Sequence, residues 1–169
     1  ISGKQGRSPG YDPLKIMVDV AHKNGMKIEA WVNPYRVTIG STNYSKLSKN
    51  NPARKWHAKK STSRNVLAYN GSLYYNPSKK DVRNLIINGA KEIVKNYKVD
   101  GIHMDDYFYP EFTSKNVKTA FDAKEYNKSS YKKNKKSIYT YRRAQVSTLV
   151  MDMKAAIKKI NSKVTYGIS

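Results

Sequence analysis

The sequence predicts an α/β fold built on a parallel sheet that is covered by helices. Three segments with helical periodicity alternate with three short apolar strands along the 169 residues, which is the pattern of repeated strand–helix units. Connections from a helix to the next strand take about two or three residues, whereas connections from a strand to the next helix are long. The long connections therefore leave from the carboxyl ends of the strands, where parallel α/β folds place their functional sites.

The predicted helices are marked by their caps and by their apolar faces. The first lies in YDPLKIMVDVAHKNG, where Asp12 can cap the start and Pro13 fits the first turn. The second lies in SKKDVRNLIINGAKEIVKNY, where Ser78 and Asp81 resemble a capping box. The third runs from about Ser137 to Ile160. Their apolar faces are Leu14, Met17, Val18 and Ala21; Val82, Leu85, Ile86, Gly89 and Ile93; and Val146, Leu149, Val150, Met153, Ile157 and Ile160.

The three predicted strands, in MKIEAWVNP, KVDGIHMDD and KVTYGIS, each have two different faces because side chains alternate along a strand. One face is apolar and consists of Ile28, Ala30, Val32, Ile102, Met104, Val164, Tyr166 and Ile168. The other face carries polar, small or aromatic residues, namely Glu29, Trp31, Asn33, Gly101, His103, Asp105, Thr165, Gly167 and Ser169. A doubly wound sheet is usually apolar on both faces. We therefore interpret the second face as the lining of a barrel interior.

The stretch DGIHMDDYFYP carries the candidate chemistry. Asp105 ends the inward face at the open end of the barrel, and Asp106 points to the other side or begins the loop. A carboxylate at this place can act as a nucleophile or as an acid–base group, and the aromatic residues after it can stack on sugar rings. The alternative is that either aspartate caps the strand end or pairs with Arg36.

Three residues deeper on the inward face have structural alternatives. His103 could be a satisfied core histidine, Trp31 could serve packing, and Glu29 could be a buried ion-pair partner. Adjacent aspartates could also suggest a metal, but histidines at positions 22, 57 and 103 give no ligand spacing. We therefore predict neither a metal site nor a cofactor.

The chain is strongly basic, with 33 Lys and Arg against 12 Asp and Glu and a net charge of +21. This balance favours polyanionic partners such as nucleic acid, an anionic membrane surface or an acidic cell wall, although a merely solvating lysine-rich surface explains it equally well. The absence of cysteine excludes disulfides and thiolate metal sites. No apolar run approaches the roughly 18 residues of a membrane span. The start of the chain is polar and glycine-rich, so we expect any export signal to lie upstream of it.

Several long motifs occur in an order that resembles the glycosyl-hydrolase-like 10 family. They are GKQGRSPGYDPL, AHKNGMKIEAWVNPYRV, YYNPSKKDVRN, VDGIHMDDYFYP, YRRAQV and VTYGIS. The resemblance spans essentially the whole chain except the two long loops. It implies a TIM (β/α)8 barrel that hydrolyses glycosidic bonds, in peptidoglycan strands stripped of stem peptides. A non-catalytic relative that binds carbohydrate in the cell wall is the alternative.

The length of the chain limits how much of such a barrel it supplies. A complete barrel takes about 250 residues, whereas residues 1–169 supply about three strand–helix units. We therefore expect a partial barrel that holds strands three to five, and we expect this segment to be inactive alone. The resemblance implies an extracellular or cell-surface location, with a signal or lipoprotein anchor upstream.

The resemblance and the inward parity together make Asp105 the best catalytic candidate, as a nucleophile if the enzyme is retaining, with Asp106 beside it. The partner acid is not evident, because Glu29 lies deep and Glu111 lies in a loop. Arg142 and Arg143 could contribute to the cleft or lie on a helix surface. The expected substrate-binding residues are Trp31, Asn33, Tyr35, Arg36, Tyr75, Asn76, His103 and Tyr107.

The partners expected are a polysaccharide substrate and, through the first long loop, anionic wall polymers. That loop, residues 34–77, holds eight Lys and Arg and no Asp or Glu. Nucleic acid is not expected, since no recognised motif occurs and the aspartate pair would repel phosphate. The basic residues of the loop are Arg36, Lys46, Lys49, Arg54, Lys55, Lys59, Lys60 and Arg64.

Overall fold

The computed structural model describes residues 5–105 and 107–169. Its helices are α1 (Pro13–Lys23), α2 (Pro52–His57), α3 (Lys80–Asn96), α4 (Ala123–Lys128), α5 (Ser130–Lys133) and α6 (Ile138–Ile160). Its strands are β1 (Glu29–Trp31), β2 (Val66–Tyr69), β3 (Ser72–Tyr75), β4 (Gly101–Met104) and β5 (Thr165–Ile168). Strands β1, β4 and β5 form a parallel sheet in that order. The predicted α/β fold with parallel strands is confirmed at this level.

The register of the sheet confirms the predicted alternation of faces. The first row across the sheet is Glu29, Gly101 and Thr165, and the next row on the same face is Trp31, His103 and Gly167. The opposite face carries Ile102, which is fully buried, between Ala30 and Tyr166. Because all three strands run the same way and share this register, their carboxyl ends meet at one edge.

Helices α1, α3 and α6 pack on the apolar face of the sheet. Each fully buried Ile, Leu or Met side chain at this interface stabilises the fold by about 1.5–3 kcal/mol. No helix within the described ranges is both long and apolar enough to cross a membrane. The buried residues of this core are Val18, Tyr35, Val82, Ile86, Ala90, Val94, Val99, Ile102, Leu149, Met153, Ile157 and Val164.

The start of α3 differs from the prediction. Lys79 occupies the cap position without a side-chain hydrogen bond to the helix, so the capping box of Ser78 and Asp81 is wrong. Ser78 instead donates its hydroxyl to Asp122 at 3.1 Å. The buried row of α3 consists of Val82, Ile86, Ala90 and Val94, whereas Gly89, predicted to be buried, is exposed.

The first long loop contains a β-hairpin, which the sequence analysis did not predict. Strands β2 and β3 form an antiparallel hairpin around Asn70 and Gly71, whose φ angles are 42° and 73°. An Asn-Gly pair with two positive φ values is the turn that matches the twist of a hairpin. The Tyr75 N–H donates to the Tyr35 carbonyl at 2.8 Å, so the hairpin docks beside the end of β1.

The second long loop is held by a buried ion pair between Arg142 and Asp122. The Arg142 Nη2 and Nε atoms lie 2.7 and 2.8 Å from Asp122 Oδ1. Arg142 also donates to the carbonyls of Val117 and Ala120, and its guanidinium lies 4.1 Å from the Phe112 ring centroid. One side chain of α6 therefore fixes several points of this loop.

The hairpin turn yields a first prediction about stability. Gly71→Ala should lower the free energy of unfolding by about 1–2 kcal/mol, because φ is positive at this residue. Gly89→Ala on the exposed face of α3 should instead raise it by about 0.5–1 kcal/mol. An added Cβ meets nothing within 4 Å at either position, so the pair isolates backbone conformation. Equal changes in the free energy of unfolding for the two variants would contradict a positive φ angle at Gly71.

The anchor of the second loop yields another prediction. Arg142→Ala should lower the free energy of unfolding by about 3–5 kcal/mol, because it leaves Asp122 as an unpaired buried charge. Arg143→Ala should stay within about 0.5 kcal/mol of the parent, because this neighbour on α6 is exposed. Both values come from denaturant titrations. Similar small losses for both variants would show that the anchor does not hold the loop.

Candidate functional site

Asp105 follows β4 directly and lies half-buried at the carboxyl edge of the sheet. Its Oδ1 atom accepts the N–H of Tyr107 at 3.2 Å, which turns the chain after the strand. Its Oδ2 atom accepts no hydrogen bond from any of the described residues. One oxygen therefore orders the local turn while the other stays available. Asp106, the other predicted catalytic residue, lies outside the described residues.

Asn33 continues the row of Asp105 on the neighbouring strand, two residues beyond the pair formed by Trp31 and His103. Its Oδ1 atom accepts the Arg36 N–H at 3.2 Å. Its Nδ2 atom is buried and has no hydrogen-bond partner among the described residues. A buried donor without a partner costs about 1–3 kcal/mol, so this amide is suited to donate to a bound group.

Arg36, Tyr107 and Tyr74 form one wall beside Asp105. The Arg36 guanidinium lies 4.9 Å from the centroid of the Tyr107 ring, a cation–π geometry. Burial, and then a hydrogen bond to Tyr107, raises the pKa of Tyr74. Within the described residues, Arg36 forms this aromatic contact and no ion pair with Asp105. The structure thus favours a contact of Arg36 with the Tyr107 ring over the alternative, an ion pair between Arg36 and Asp105.

Glu29 reaches across the sheet in the deepest row of the inward face. Its Oε1 atom accepts the Thr165 hydroxyl at 2.8 Å, and its Oε2 atom lies 3.9 Å from His103 Nδ1. A Cβ atom at position 101 would overlap Thr165 Oγ1 and the Glu29 carboxylate, so glycine is required there. The alternative of a buried ion pair at Glu29 does not hold in this chain, because about half of the Glu29 side chain is exposed beside His103.

Trp31 lies on the same face, one row nearer the rim. It is 58% exposed, which is unusual for a tryptophan that serves packing. His103 is the residue paired with it on β4. The arrangement leaves an aromatic surface, an imidazole and two carboxylates on one open face of the sheet. Aromatic faces and carboxylates are the groups that bind and cleave sugars.

Two predicted cleft residues are buried in this chain. Tyr35 is 1% exposed and packs edge-on against Phe108 in the helix-side core, where burial raises the pKa of its phenol. Asn76 is fully buried, donates to the Arg64 carbonyl at 3.0 Å and accepts the Ser78 N–H at 3.0 Å. In this chain both side chains are therefore buried in contacts within the protein, and their predicted place in the cleft stays a prediction. Strand alternation cannot be extended to them, because Asn76 lies beyond β3 and Tyr35 follows Pro34 beyond β1.

Tyr75, the last residue of β3, packs its side chain between the hairpin and α2. Its ring meets Trp56 edge-on with centroids 5.7 Å apart, and burial raises its pKa. The alternation of β3 places its neighbour Tyr74 on the side of Tyr107 instead. Sequence reasoning missed Tyr74 because it did not recognise the hairpin, although LAYNGSLYY has the alternation and the Asn-Gly turn that indicate one.

A large cavity of about 690 Å³ lies at the opposite end of the sheet. It is lined by residues at the amino ends of the strands, including Glu29, Asp100 and Thr165. We assign no site to it, because parallel α/β folds carry their chemistry at the carboxyl ends. Within residues 5–105 and 107–169, no three His, Asp or Glu side chains are grouped so that they could hold a metal ion.

Comparison with solved structures finds a similar fold in part of a larger enzyme. The chain is similar to the alpha-L-fucosidase isoenzyme 2 from Paenibacillus thiaminolyticus, with a TM-score of 0.56 and 14% identity. The match covers 92% of this chain and 22% of the fucosidase chain. At this identity the likeness concerns the fold alone.

Comparison with curated proteins identifies closer relatives. The glycosyl hydrolase YngK of Bacillus subtilis is 38% identical over all of this chain, which covers 31% of its length. The glycosyl hydrolase DigH of Escherichia coli K12 is 33% identical over all of this chain, which covers 38% of its length. The chain thus spans about a third of the length of these relatives.

The family comparison covers every residue. The model of the family described as glycosyl hydrolase-like 10 matches residues 1–169. Both relatives are named as glycosyl hydrolases. The resemblance to this family that the sequence motifs indicated is therefore confirmed. The chain belongs to the glycosyl hydrolase-like 10 family.

Proposed function

We propose that the protein containing this chain is a glycoside hydrolase that acts on bacterial cell-wall glycan, with Asp105 as a catalytic carboxylate. The observation that carries the proposal is the position of Asp105 at the carboxyl end of the central strand, on the polar face, with Oδ2 unengaged by the described residues. Tyr107, Arg36 and the Asn33 Nδ2 atom, which has no hydrogen-bond partner among the described residues, lie at the same strand ends. Such groups suit the stacking and hydrogen bonding of a sugar ring.

The same sheet supports the larger architecture that we propose, a (β/α)8 barrel of which residues 1–169 form the central part. The parallel strands are neighbours in chain order, β1-β4-β5, as consecutive strands are in a barrel. All three long helices pack on one face, while the other face presents Trp31, Glu29 and Thr165 to solvent in this chain. In a doubly wound sheet, helices would cover both faces. Closure of further strands around the polar face would place these residues inside.

The proposed chemistry begins at the free oxygen of Asp105. In a retaining enzyme this oxygen attacks the anomeric carbon, the glycosidic C–O bond breaks, and a second carboxylic acid protonates the leaving oxygen. Water then hydrolyses the glycosyl ester and restores both carboxyl groups. In an inverting enzyme the Asp105 carboxylate instead removes the proton of the attacking water. Either route needs a second carboxyl group across the glycosidic bond.

Glu29 is not that second group. Its partner in the sheet is Gly101, four residues before Asp105. At about 3.3 Å per residue the two positions are roughly 13 Å apart along the strand, beyond the roughly 5–9.5 Å that separate the carboxyl groups of glycosidases. We propose that the partner acid comes from another strand of the barrel.

The wall substrate rests on the family resemblance and on the net charge of +21. The structure divides the basic residues of the first loop. Arg36 lies on Tyr107, Arg54 donates to the carbonyls of Ser45 and Leu47, and Arg64 pairs with Glu125. The exposed lysines of the loop are Lys46, Lys49, Lys55, Lys59 and Lys60. We propose that these lysines draw the protein to anionic wall polymers at the cell surface.

Removal of the carboxylate tests the catalytic assignment. Asp105→Asn in the full-length protein should reduce the release of reducing ends from stem-peptide-free glycan strands by at least about 10²–10⁴-fold, as expected for loss of a positioned acid–base group. Binding of the glycan should persist, because the amide keeps the shape of the side chain.

Two comparisons make this result decisive. Glu111→Gln removes an exposed carboxylate of the following loop and should leave turnover unchanged. Turnover of Asp105→Asn equal to the parent would remove Asp105 from the mechanism. A parent protein that binds these strands without releasing any reducing end would instead support the alternative, a non-catalytic relative that binds wall carbohydrate through the exposed Trp31.

The proposed electrostatic attraction is tested by salt. Retention of the full-length protein on isolated walls should fall steeply between 0.1 and 1 M salt, because the Debye length shrinks from about 10 Å to about 3 Å. Changing the five exposed loop lysines to Gln should produce a similar loss at low salt. Walls stripped of teichoic acid should retain less protein. Equal, salt-insensitive retention on both wall preparations would contradict the role of charge.

A further inference from the structure

A basic pocket of about 440 Å³ opens where the hairpin, α3, α4 and α6 meet. Four basic side chains line it, from Arg64, Lys79, Lys124 and Lys128, together with Ser78, Tyr141 and a single acid. These residues come from four separate parts of the chain, so the charge is gathered by the fold. We infer that this basic pocket binds the phosphate group of an anionic ligand.

The single acid that lines the pocket, Glu125, is largely buried. It accepts two hydrogen bonds from Arg64, both at 2.6 Å, and its Oε1 atom lies 3.2 Å from Lys79 Nζ. Burial acts to raise the pKa of Glu125, but the hydrogen bonds and charges of Arg64 and Lys79 outweigh it and lower the pKa. Glu125 is therefore ionised at neutral pH. It neutralises one of the four cations and holds Arg64 in place.

The wall of the pocket carries two lysines without an acidic partner. Lys124 and Lys128 lie four residues apart on α4, so their side chains leave the same face of the helix. Within the described part of the chain, neither forms an ion pair. Like charges at this spacing repel and destabilise a helix. An anion between them would turn that repulsion into attraction.

The start of α3 borders the same pocket, although Asp81 in its first turn offsets part of the helix field. Lys79 caps this 17-residue helix without a side-chain hydrogen bond to its first N–H groups. Ser78, which could have capped the helix, donates its hydroxyl to Asp122 instead. The amino end of a helix favours anions. The field at the start of α3 adds to the positive charge of the lysines, which is the main attraction for an anion.

A phosphate group fits this combination of donors. It carries several acceptor oxygens and at least one charge, and lysines bind it as point charges while backbone N–H groups bind it at a helix start. A free phosphate and the phosphodiester of a wall polymer share this chemistry. The pocket adjoins the loop that follows Asp105, since Ser78 of the pocket and Tyr109 of that loop both donate to Asp122. Phosphate binding there does not depend on the proposed hydrolysis.

Isothermal titration of the full-length protein tests the inference, with inorganic phosphate and with a glycerol phosphate oligomer as separate probes. At least one probe should bind with one-to-one stoichiometry, and Lys124→Gln/Lys128→Gln should weaken that binding about tenfold or more, since charge-assisted hydrogen bonds are the strong ones. Lys91→Gln/Lys95→Gln is the matched control, because these lysines have the same spacing on the exposed face of α3.

The outcomes separate the sources of the ligand. Tight binding of inorganic phosphate alone would identify a free phosphate site, and tight binding of the oligomer would identify a polymer site; both support the pocket. Equal weakening by the two double variants would show nonspecific attraction and overturn it. Absence of binding by both probes would overturn it as well. Neither result bears on the Asp105 assay, so the two proposals fail independently.

Discussion

The buried ion pair between Arg142 and Asp122 is the interaction on which the organisation of the site depends. Removing two such charges from water costs free energy, and only close contact and additional hydrogen bonds offset this cost. Here Asp122 also accepts the hydroxyls of Tyr109 and Ser78, at 2.9 and 3.1 Å. The pair therefore ties together α6, the segment just before α3 and the loop that begins at Asp105. A loop that long would otherwise carry a large conformational entropy.

The division between the two faces of the sheet is the second constraint. The helix face is fully buried at Ile102 and Met104, which fixes the orientation of every other residue of β4. Gly101, His103 and Asp105 must then point the opposite way. The absence of a side chain at Gly101 lets Glu29 reach Thr165, so even the deep row depends on this alternation. Packing of the helix face thus determines which side chains lie on the polar face.

The parts that sequence reasoning predicted well are those set by local periodicity. The order of the main elements, the inward parity of His103 and the three long helices follow from patterns over a few residues. The hairpin was not predicted, because the first long loop was interpreted only as a basic, charged segment. Asn70 and Gly71 nevertheless indicated its turn. The burial of Arg142 and Tyr35 was not predicted for a different reason. Their burial depends on contacts with distant segments, such as Asp122 and Phe108, which no local pattern encodes.

We propose that a glycan lies across the carboxyl ends of β1 and β4, over Asp105. The most direct measurement is a crystal structure of the full-length protein carrying Asp105→Asn, soaked with a stem-peptide-free glycan fragment. The account predicts a sugar ring against the wall of Tyr107 and Arg36, with its anomeric carbon facing position 105 and a hydroxyl within hydrogen-bond distance of the Asn33 amide. A glycan bound away from these strand ends, with the Asn33 amide and position 105 untouched, would contradict it.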